Sequence, residues 1–501
     1  MGDTKLRPEM NADHSLEEAP PATGMIGWRQ RGGLIGGLTV LLTAFFLPAF
    51  PGLSHEASRT ACLALAMAIF WITEALPIPA TALLPLVFIP AFGIAKGKDA
   101  MREAAAPYAD PVIFLFMGGF MLALAMERWN LHRRIALEIV ARAGTKPRSL
   151  IKGFLCASAF VSMWTSNAAT TMMLMPVGLS IHRMVRRGPG SQAFGAALVL
   201  AIAYGANIGG MGTLIGTPPN SILKGFLEAR GVAVSFAQWM LLGVPMILVS
   251  LPFVYWILTR VSFQIGNRAV PGVGEALRTE RSKLGPMSAP EWAVSGAFLL
   301  AISLWLTREL WKTHAPELTD EAIAMGCATL LFFIPADWRR GSFVLDWSAL
   351  RNMPWDVLIL FGGGLSLASA VEKTKLAAAL ATSMQGMQSW PPLLILFAIS
   401  AGVILATALT SNTATTAAFL PVIAPMAEAM HQPALLFCLP VALAASADFA
   451  LPVGTPPNAI AFGTGLISLP RMARTGIRVD LLFVVLIPLL TWTLGKWAFG
   501  L

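Results

Sequence analysis

Two pairs of short polar strings stand out in this chain because they interrupt long apolar runs. Residues 165–171 read Thr-Ser-Asn-Ala-Ala-Thr-Thr, and residues 410–416 read Thr-Ser-Asn-Thr-Ala-Thr-Thr. Further along, residues 216–220 and residues 454–458 both read Gly-Thr-Pro-Pro-Asn. Hydroxyls, amide oxygens and carbonyls freed at a helix break can bind a sodium ion, and N–H groups at helix starts can hold an anion. The strings therefore predict an oxygen-rich site for cations and a small anion.

The strings recur in the same order, which indicates an internal duplication. Pro176 and Pro421 follow the two Ser-Asn strings at the same distance, and a Gly-Gly pair at 118–119 is echoed at 362–363. Five predicted spanning segments separate the two Ser-Asn strings, and because five is odd we expect the second copy to be inverted. Inverted repeats place a substrate site at their interface near the bilayer midplane.

The composition requires a membrane protein. Of 501 residues, 56% are hydrophobic and only 13% are charged, against about 25% charged in soluble domains. This excludes a soluble enzyme, a disordered scaffold, a collagen-like chain and a disulfide framework. The net charge of +9 comes from basic residues between the apolar runs, where the positive-inside rule places them, so nucleic acid is not expected as a partner.

Interrupted membrane segments must position the strings, because proline breaks a helix and lipid tolerates free backbone groups only beside protein or water. We therefore predict an all-α polytopic fold with two re-entrant hairpins and two broken helices. The first half comprises a polar tail (1–33), a first transmembrane helix (34–57) and a first repeat (58–259) with a hairpin at about 150–186 and a broken helix at about 195–230. The second half comprises a linker (260–288) and a second repeat (289–501) with a hairpin at about 391–430 and a broken helix at about 434–466.

The four motifs contain no Lys or Arg, so the charge of a bound anion must be balanced by the cations. Ser166 and Asn167 with the break at 216–217 predict one cation cage, and Asn412 with the break at 454–455 predicts its counterpart. The plainer interpretation is that these polar side chains only bridge packed helices. Two copies, each paired with its own helix break, argue against that interpretation.

The motifs, together with the segment Trp-Ile-Thr-Glu-Ala-Leu-Pro-Ile-Pro at residues 71–79, resemble the divalent anion/sodium symporter (DASS) family. This family carries di- and tricarboxylates or sulfate, and the resemblance covers about residues 60–499. It implies about eleven transmembrane helices, two re-entrant hairpins, a homodimer in the plasma (inner) membrane, and an elevator motion of a transport domain. It also implies Na⁺ as the coupling ion.

The resemblance also implies site residues. The first sodium site would take Ser162, Ser166, Asn167 and Gly216, and the second would take Thr407, Asn412 and Gly454. The substrate would contact Asn167, Thr217, Asn412, Thr413, Thr455 and Pro456. The hydroxyls at 162 and 407 stand about one turn before their motifs, which places each on the same helical face as its motif.

Two departures from the family pattern affect the predicted chemistry. Ala168 replaces a threonine in the first string, whereas Thr413 keeps the hydroxyl in the second. Asp448 is a carboxylate in an apolar segment just before a break, and such groups are costly in lipid and are functional candidates. Asp448 could tune a cation site or carry a proton, or it could be a structural carboxylate held by backbone donors.

The function predicted from these observations is sodium-coupled symport of small dicarboxylates of the succinate, malate and fumarate class. The alternatives are a sodium-independent anion exchanger, a proton-coupled carrier or antiporter that uses Asp448, and a carrier of sulfate or tricarboxylates. A channel or a non-transporting scaffold would not need duplicated helix breaks. No arrangement of a nucleophile with a base is apparent, so an enzyme is not expected.

Overall fold

The computed structural model describes residues 27–46, 48–185, 191–266, 272–383 and 390–501. These residues are almost entirely helical, and the strands among them are a two-stranded antiparallel pair, Pro335–Asp337 with Ser342–Phe343. The all-α fold class predicted from the sequence is confirmed.

The helices run in chain order from α1 to α23, and short α-helical pieces stand beside long ones. The first half contains α1 (Trp28–Thr43), α2 (His55–Thr73), α3 (Ile78–Ala82), α4 (Leu84–Ala91), α5 (Ala100–Ala105), α6 (Pro111–Arg128), α7 (Leu131–Ala143), α8 (Pro147–Ser162), α9 (Asn167–Val185), α10 (Ser191–Gly210), α11 (Pro218–Glu228), α12 (Phe236–Trp256) and α13 (Val273–Ser282). The second half contains α14 (Ala289–Trp311), α15 (Asp320–Phe333), α16 (Trp355–Lys373), α17 (Leu376–Ser383), α18 (Pro392–Thr407), α19 (Asn412–Ala429), α20 (Ala434–Ala445), α21 (Pro456–Gly463), α22 (Leu469–Leu490) and α23 (Lys496–Phe499).

Seven helical stretches among the described residues are long and apolar enough to cross a membrane. They are His55–Thr73, Ala100–Arg128, Ser191–Gly210, Phe236–Ser262, Ala289–Trp311, Trp355–Lys373 and Leu469–Phe499. Large apolar side chains such as Leu248, Leu310 and Phe333 are exposed on the helix surfaces, where lipid rather than water is the solvent that suits them. Shorter apolar helices, including α18 and α20, belong to elements that are interrupted before they span a bilayer.

Several helix starts are specified by local sequence. Ser235 and Ser288 each accept a hydrogen bond from the backbone N–H three residues later, and the side chains of Gln238 and Glu291 return the bond. Such capping boxes satisfy backbone donors that the first helical turn leaves free. These caps determine the residues at which α12 and α14 begin.

The interrupted helices pack together as one block. Helix α10 lies against α8 and α9, and α20 lies in the same way against α18 and α19. The short second segment of each broken helix packs on the opposite half of the molecule. Helix α11 contacts α19 and α20, and α21 contacts α9 and α10. Helix α10 is 94% buried by residue, so it lies at the centre of the molecule.

The element boundaries differ from the sequence expectation at the first helix and at the linker. Helix α1 begins at Trp28, before the predicted start at residue 34, because the polar turn Trp28–Arg31 continues the same helix, and it ends at Thr43 instead of reaching residue 57. The predicted range also takes in the start of α2 at His55, which the Ser54 hydroxyl caps. The predicted linker 260–288 contains α13, whose apolar residues Val273 and Leu277 are buried one turn apart. Residues 1–26 of the predicted tail lie outside the described residues, and the division into two repeats remains a prediction.

Candidate ion and anion binding site

The four polar strings meet at one cavity of about 380 Å³, within the range of about 300–1,000 Å³ typical of small-molecule sites. Each string lies where one helix ends and the next begins, before α9, α11, α19 and α21. The lining residues from these strings are Thr165, Ser166, Asn167, Ala168, Gly216, Thr217, Pro218, Pro219, Ser411, Asn412, Thr413, Gly454, Thr455, Pro456 and Pro457. Segments that are distant in sequence thus share one chamber.

All the predicted substrate-contacting residues line this cavity: Asn167, Thr217, Asn412, Thr413, Thr455 and Pro456. Three of the predicted cation ligands, Ser166, Gly216 and Gly454, line it as well. Ser162, Thr407 and Asp448 do not; they are fully buried behind the lining. The roles assigned to these residues remain predictions.

The two Ser-Asn strings have the same hydrogen bonds. Ser162 Oγ donates to Asn167 Oδ1 at 2.6 Å, and Thr407 Oγ1 donates to Asn412 Oδ1 at 2.7 Å. The Asn167 and Asn412 backbone carbonyls each accept a hydroxyl four residues later, from Thr171 and Thr416. The bonds from Ser162 and Thr407 orient the two asparagine side chains, so their amide oxygens are held in place at the break.

The two Gly-Thr-Pro-Pro-Asn breaks are also built alike. Asn220 Nδ2 donates to the carbonyls of Gly210 at 3.0 Å and Thr213 at 2.7 Å. Asn458 Nδ2 donates to the carbonyls of Asp448 at 3.1 Å and Leu451 at 3.0 Å. Each asparagine therefore satisfies two carbonyls that the broken helix leaves free. Sequence analysis included both asparagines in the motifs without assigning this role, although their identical position in the two copies was a signal.

Asn207 connects the two halves of the molecule and was missed by the sequence analysis. It is fully buried in α10 and its Nδ2 donates to Thr455 Oγ1 at 3.1 Å. An asparagine inside an otherwise apolar and buried helix is the signal that could have identified it. Through this bond the first half positions a cavity-lining hydroxyl of the second.

The electrostatics of the cavity come from backbone and neutral side chains. Four helix N-termini open at it, and the positive ends of their dipoles favour an anion. Free N–H groups come from the starts of α9 and α19, because α11 and α21 each begin with two prolines. Among the described residues, the lining contains no Lys or Arg, and its charged member is Glu127 at the end of α6. Glu127 and Asn352 were not predicted, because neither belongs to a repeated string. An anion in this cavity needs a cation beside it.

The donor set fits sodium. The cavity side of each break presents an asparagine amide oxygen, hydroxyls and a glycine backbone, all oxygen donors of the type that hard cations prefer. A Cβ added to Gly216 would lie 2.5 Å from the Gly210 carbonyl oxygen. Only glycine permits the carbonyl and the break to approach this closely, which is the arrangement that an ion-binding backbone turn requires.

Comparison with known proteins decides the family. A family model described as "Sodium:sulfate symporter transmembrane region" matches residues 31–501. The chain belongs to the sodium:sulfate symporter family. The DASS family predicted from the motifs is thereby confirmed, and the protein is an integral multi-pass membrane protein.

Relatives within this symporter family are similar over nearly their whole length. The sodium-dependent dicarboxylate transporter SdcS of Staphylococcus saprophyticus is 43% identical over 477 residues, covering 92% of this chain and 91% of the relative. The SdcS protein of Staphylococcus aureus strain MRSA252 is 39% identical over 492 residues, covering 95% of this chain and 92% of the relative. Both proteins are transporters by name.

A solved structure shares the fold. The crystal structure of the Alcanivorax borkumensis YdaH transporter matches with a TM-score of 0.57 and 14% identity, covering 89% of this chain and 98% of that one. At this identity the likeness concerns the fold alone. It agrees with the mostly helical, interrupted architecture of this symporter-family chain.

Proposed function

We propose that this protein is a sodium-coupled symporter of small dicarboxylates of the succinate, malate and fumarate class, acting in the plasma membrane. The observation that carries the proposal is the single cavity formed by all four helix breaks, with oxygen donors and helix N-termini and no basic side chain among its described lining. The named function of the SdcS relatives, sodium-dependent dicarboxylate transport, supports it.

Coupling follows from charge balance. A dicarboxylate carries two negative charges into a site of low dielectric constant, where unneutralised charge is strongly unfavourable. Sodium ions held by Ser162, Ser166, Asn167 and Gly216, and by Thr407, Asn412 and Gly454, would supply the balancing charge. The substrate carboxylates would then contact Thr217, Thr413, Thr455 and the N–H groups of the adjoining helix starts.

The transport cycle belongs to the same proposal. Helices α8–α11 and α18–α21 pack as one block, which suits an elevator motion of that block against the remaining helices. Four of the seven long apolar stretches lie between the two Ser-Asn loops. The inverted relation of the repeats requires an odd number of crossings, so the proposal assigns a fifth crossing to α15 (Asp320–Phe333). About eleven transmembrane helices, two re-entrant hairpins and a homodimer complete the proposal.

The proposal is tested by uptake of labelled succinate into proteoliposomes that contain the purified protein. We expect uptake to require an inward sodium gradient and to stop when potassium replaces sodium. Uptake that is the same in potassium would contradict symport and favour the sodium-independent exchanger. Competition by unlabelled citrate and sulfate, measured in the same assay, separates the dicarboxylate class from the tricarboxylate and sulfate alternatives.

A further inference from the structure

The two halves of the site differ at one fully buried position. Asp448 lies six residues before Gly454, just as Gly210 lies six residues before Gly216. The backbone carbonyls of Gly210 and Asp448 accept hydrogen bonds from the equivalent asparagines, Asn220 and Asn458. Asp448 is therefore the counterpart of Gly210, and the second break carries a carboxylate where the first carries no side chain.

A side chain at this position would point toward the predicted cation site of its own half. A Cβ added to Gly210 would lie 2.6 Å from Asn167 Oδ1, which is an amide oxygen of the first predicted sodium site. In the second half, Asp448 Oδ2 occupies the space beside Gly454, only 1.2 Å from where a Cβ at that residue would be. Gly454 can thus be replaced by no larger residue while the carboxylate stays there.

The Asp448 carboxylate has no side-chain partner among the described residues. Asp448 is 0% exposed, and the groups closest to its oxygens are the backbone N–H groups of Ala450 and Leu451, which lie too far off line for full hydrogen bonds. Asp480 on α22 is a second buried carboxylate nearby, and its Oδ1 accepts the Phe449 N–H at 3.0 Å. Among the described residues no basic side chain lies beside either carboxylate. A buried, unpaired carboxylate needs a bound cation or a proton.

We infer that Asp448 is an anionic ligand of the second cation site, so that the two sodium sites of the proposed symporter differ in charge. The second site combines the Asp448 carboxylate with Thr407, Asn412 and the Gly454 backbone, whereas the first site contains only neutral donors. The second cation then neutralises a charge of the protein and binds without substrate. The first cation binds with the substrate and neutralises one of its two negative charges, and the dipoles of the helix N-termini at the cavity stabilise the other. This inference rests on the proposed function and adds an order of binding to it.

The test is the effect of sodium on the thermal unfolding midpoint of purified protein without succinate, with choline replacing sodium at constant ionic strength and pH. Unaltered protein should be stabilised by sodium, because a ligand that binds only the folded state raises its stability. For Asp448→Asn, we expect the sodium concentration for half-maximal stabilisation to rise about 10-fold or more, the scale of losing a group that supports a metal site.

Two further variants keep the test decisive. Asp448→Gly copies the first half and should give the same loss of sodium affinity if Asp448→Asn does not fold. Asp480→Asn removes a neighbouring buried charge that would attract the same cation only through space, so we expect a smaller loss of sodium affinity than in Asp448→Asn. An equal loss in Asp480→Asn would overturn ligation in favour of a general effect of buried charge.

The inference and the proposed function fail separately. Unchanged sodium affinity in both Asp448 variants would overturn the inference, because the carboxylate would then be neutralised by a proton, while sodium-driven succinate uptake by the unaltered protein would still support symport. Absence of sodium stabilisation in the unaltered protein would contradict the substrate-independent second site. Loss of sodium dependence in uptake would contradict the proposed function itself.

Discussion

At the scale of single residues, the site depends on two asparagines that are held in equivalent ways. Asn167 and Asn412 each begin a helix, and each amide oxygen accepts a hydroxyl from the preceding helix. The hydroxyl donors Ser162 and Thr407 are fully buried. A small change at either asparagine therefore removes an oriented oxygen donor without opening a large hole in the core.

The Asn412→Ala variant should lower sodium-driven succinate uptake by on the order of 10–100-fold, the cost of disturbing a metal-binding group. Its thermal unfolding should remain cooperative, because Asn412 is only partly buried. Ser400→Ala is the matched control: Ser400 bonds the Leu396 carbonyl within α18, away from the cavity, and should leave uptake unchanged. Normal uptake by Asn412→Ala would show that the second cation site is misplaced.

The Ala168→Thr variant should change substrate preference, because Ala168 and Thr413 both line the cavity and only Thr413 carries a hydroxyl. One added hydrogen bond of about 1 kcal/mol corresponds to about fivefold in the ratio of kcat/KM for succinate over sulfate. Ala169→Thr, which faces a different cavity, controls for added volume. Equal ratios in the parent and in Ala168→Thr would mean that residue 168 does not contact substrate.

Sequence analysis recovered residues where a repeated string marked them and missed them where nothing was repeated. The predicted substrate residues lie at one cavity because their motifs occur twice. Glu127, Asn207 and Asp480 were missed because none belongs to a repeated string, and Asn207 and Asp480 acquire their partners, Thr455 and Phe449, only through tertiary packing. Contacts between distant helices leave no periodic signal in a single chain.

At the scale of elements, the helix breaks are stabilised from within. Loss of the Asn220 amide would leave the Gly210 carbonyl without a donor and the Thr213 carbonyl with only the Gly216 N–H at 3.4 Å. This design explains why asparagine closes both Gly-Thr-Pro-Pro-Asn strings. The sequence predicted the breaks from proline and glycine, whereas the buried side of α13 was obscured by its charged residues.

The Asn220→Leu variant should therefore be destabilised by about 1–3 kcal/mol, since it leaves one buried acceptor, the Gly210 carbonyl, unpaired. The thermal unfolding midpoint in detergent measures this loss. Gln192→Leu, at an exposed position of α10, should change stability by less than about 0.5 kcal/mol. An Asn220→Leu protein as stable as the parent would contradict the role assigned to this amide.

A buried ion cluster anchors α11 to α15. Lys224 is 2% exposed, forms ion pairs with Glu228 and Glu321, the latter at 3.4 Å, and donates to the Val234 carbonyl at 3.0 Å. The contact between Lys224 and Glu321 could not be predicted from the sequence, because the two residues are far apart in the chain. Its position behind the break beginning at Gly216 links the site to the surrounding helices.

Lys224→Met should destabilise the protein by about 2–3 kcal/mol, less than the ~3–5 kcal/mol of a fully buried pair, because the Glu228 and Glu321 carboxylates that lose their counter-charge are only partly buried. The matched control is Lys312→Met, whose ion pair with Glu309 is exposed and should contribute at most about 1 kcal/mol. Chemical unfolding in detergent compares the two. Equal effects would mean that the Lys224 cluster is no stronger than a surface ion pair.

At the scale of the whole molecule, the crossing of the two halves creates the chamber. Helix α11 of the first half packs on α19 and α20 of the second half, and α21 of the second half packs on α9 and α10 of the first. Neither half can therefore form the cavity alone. The fold class and family followed from composition and duplicated motifs, while the pairing of each half-helix with the opposite half required the structure. Neutral oxygen donors from both halves of the chain line this chamber.

The central claim is that an anion binds in this chamber only together with sodium. Isothermal titration calorimetry of the purified protein with succinate, in sodium chloride and in choline chloride of equal ionic strength, tests it most directly. The account predicts no measurable binding in choline and an affinity that rises with sodium concentration. Succinate binding of equal affinity in the two salts would contradict it.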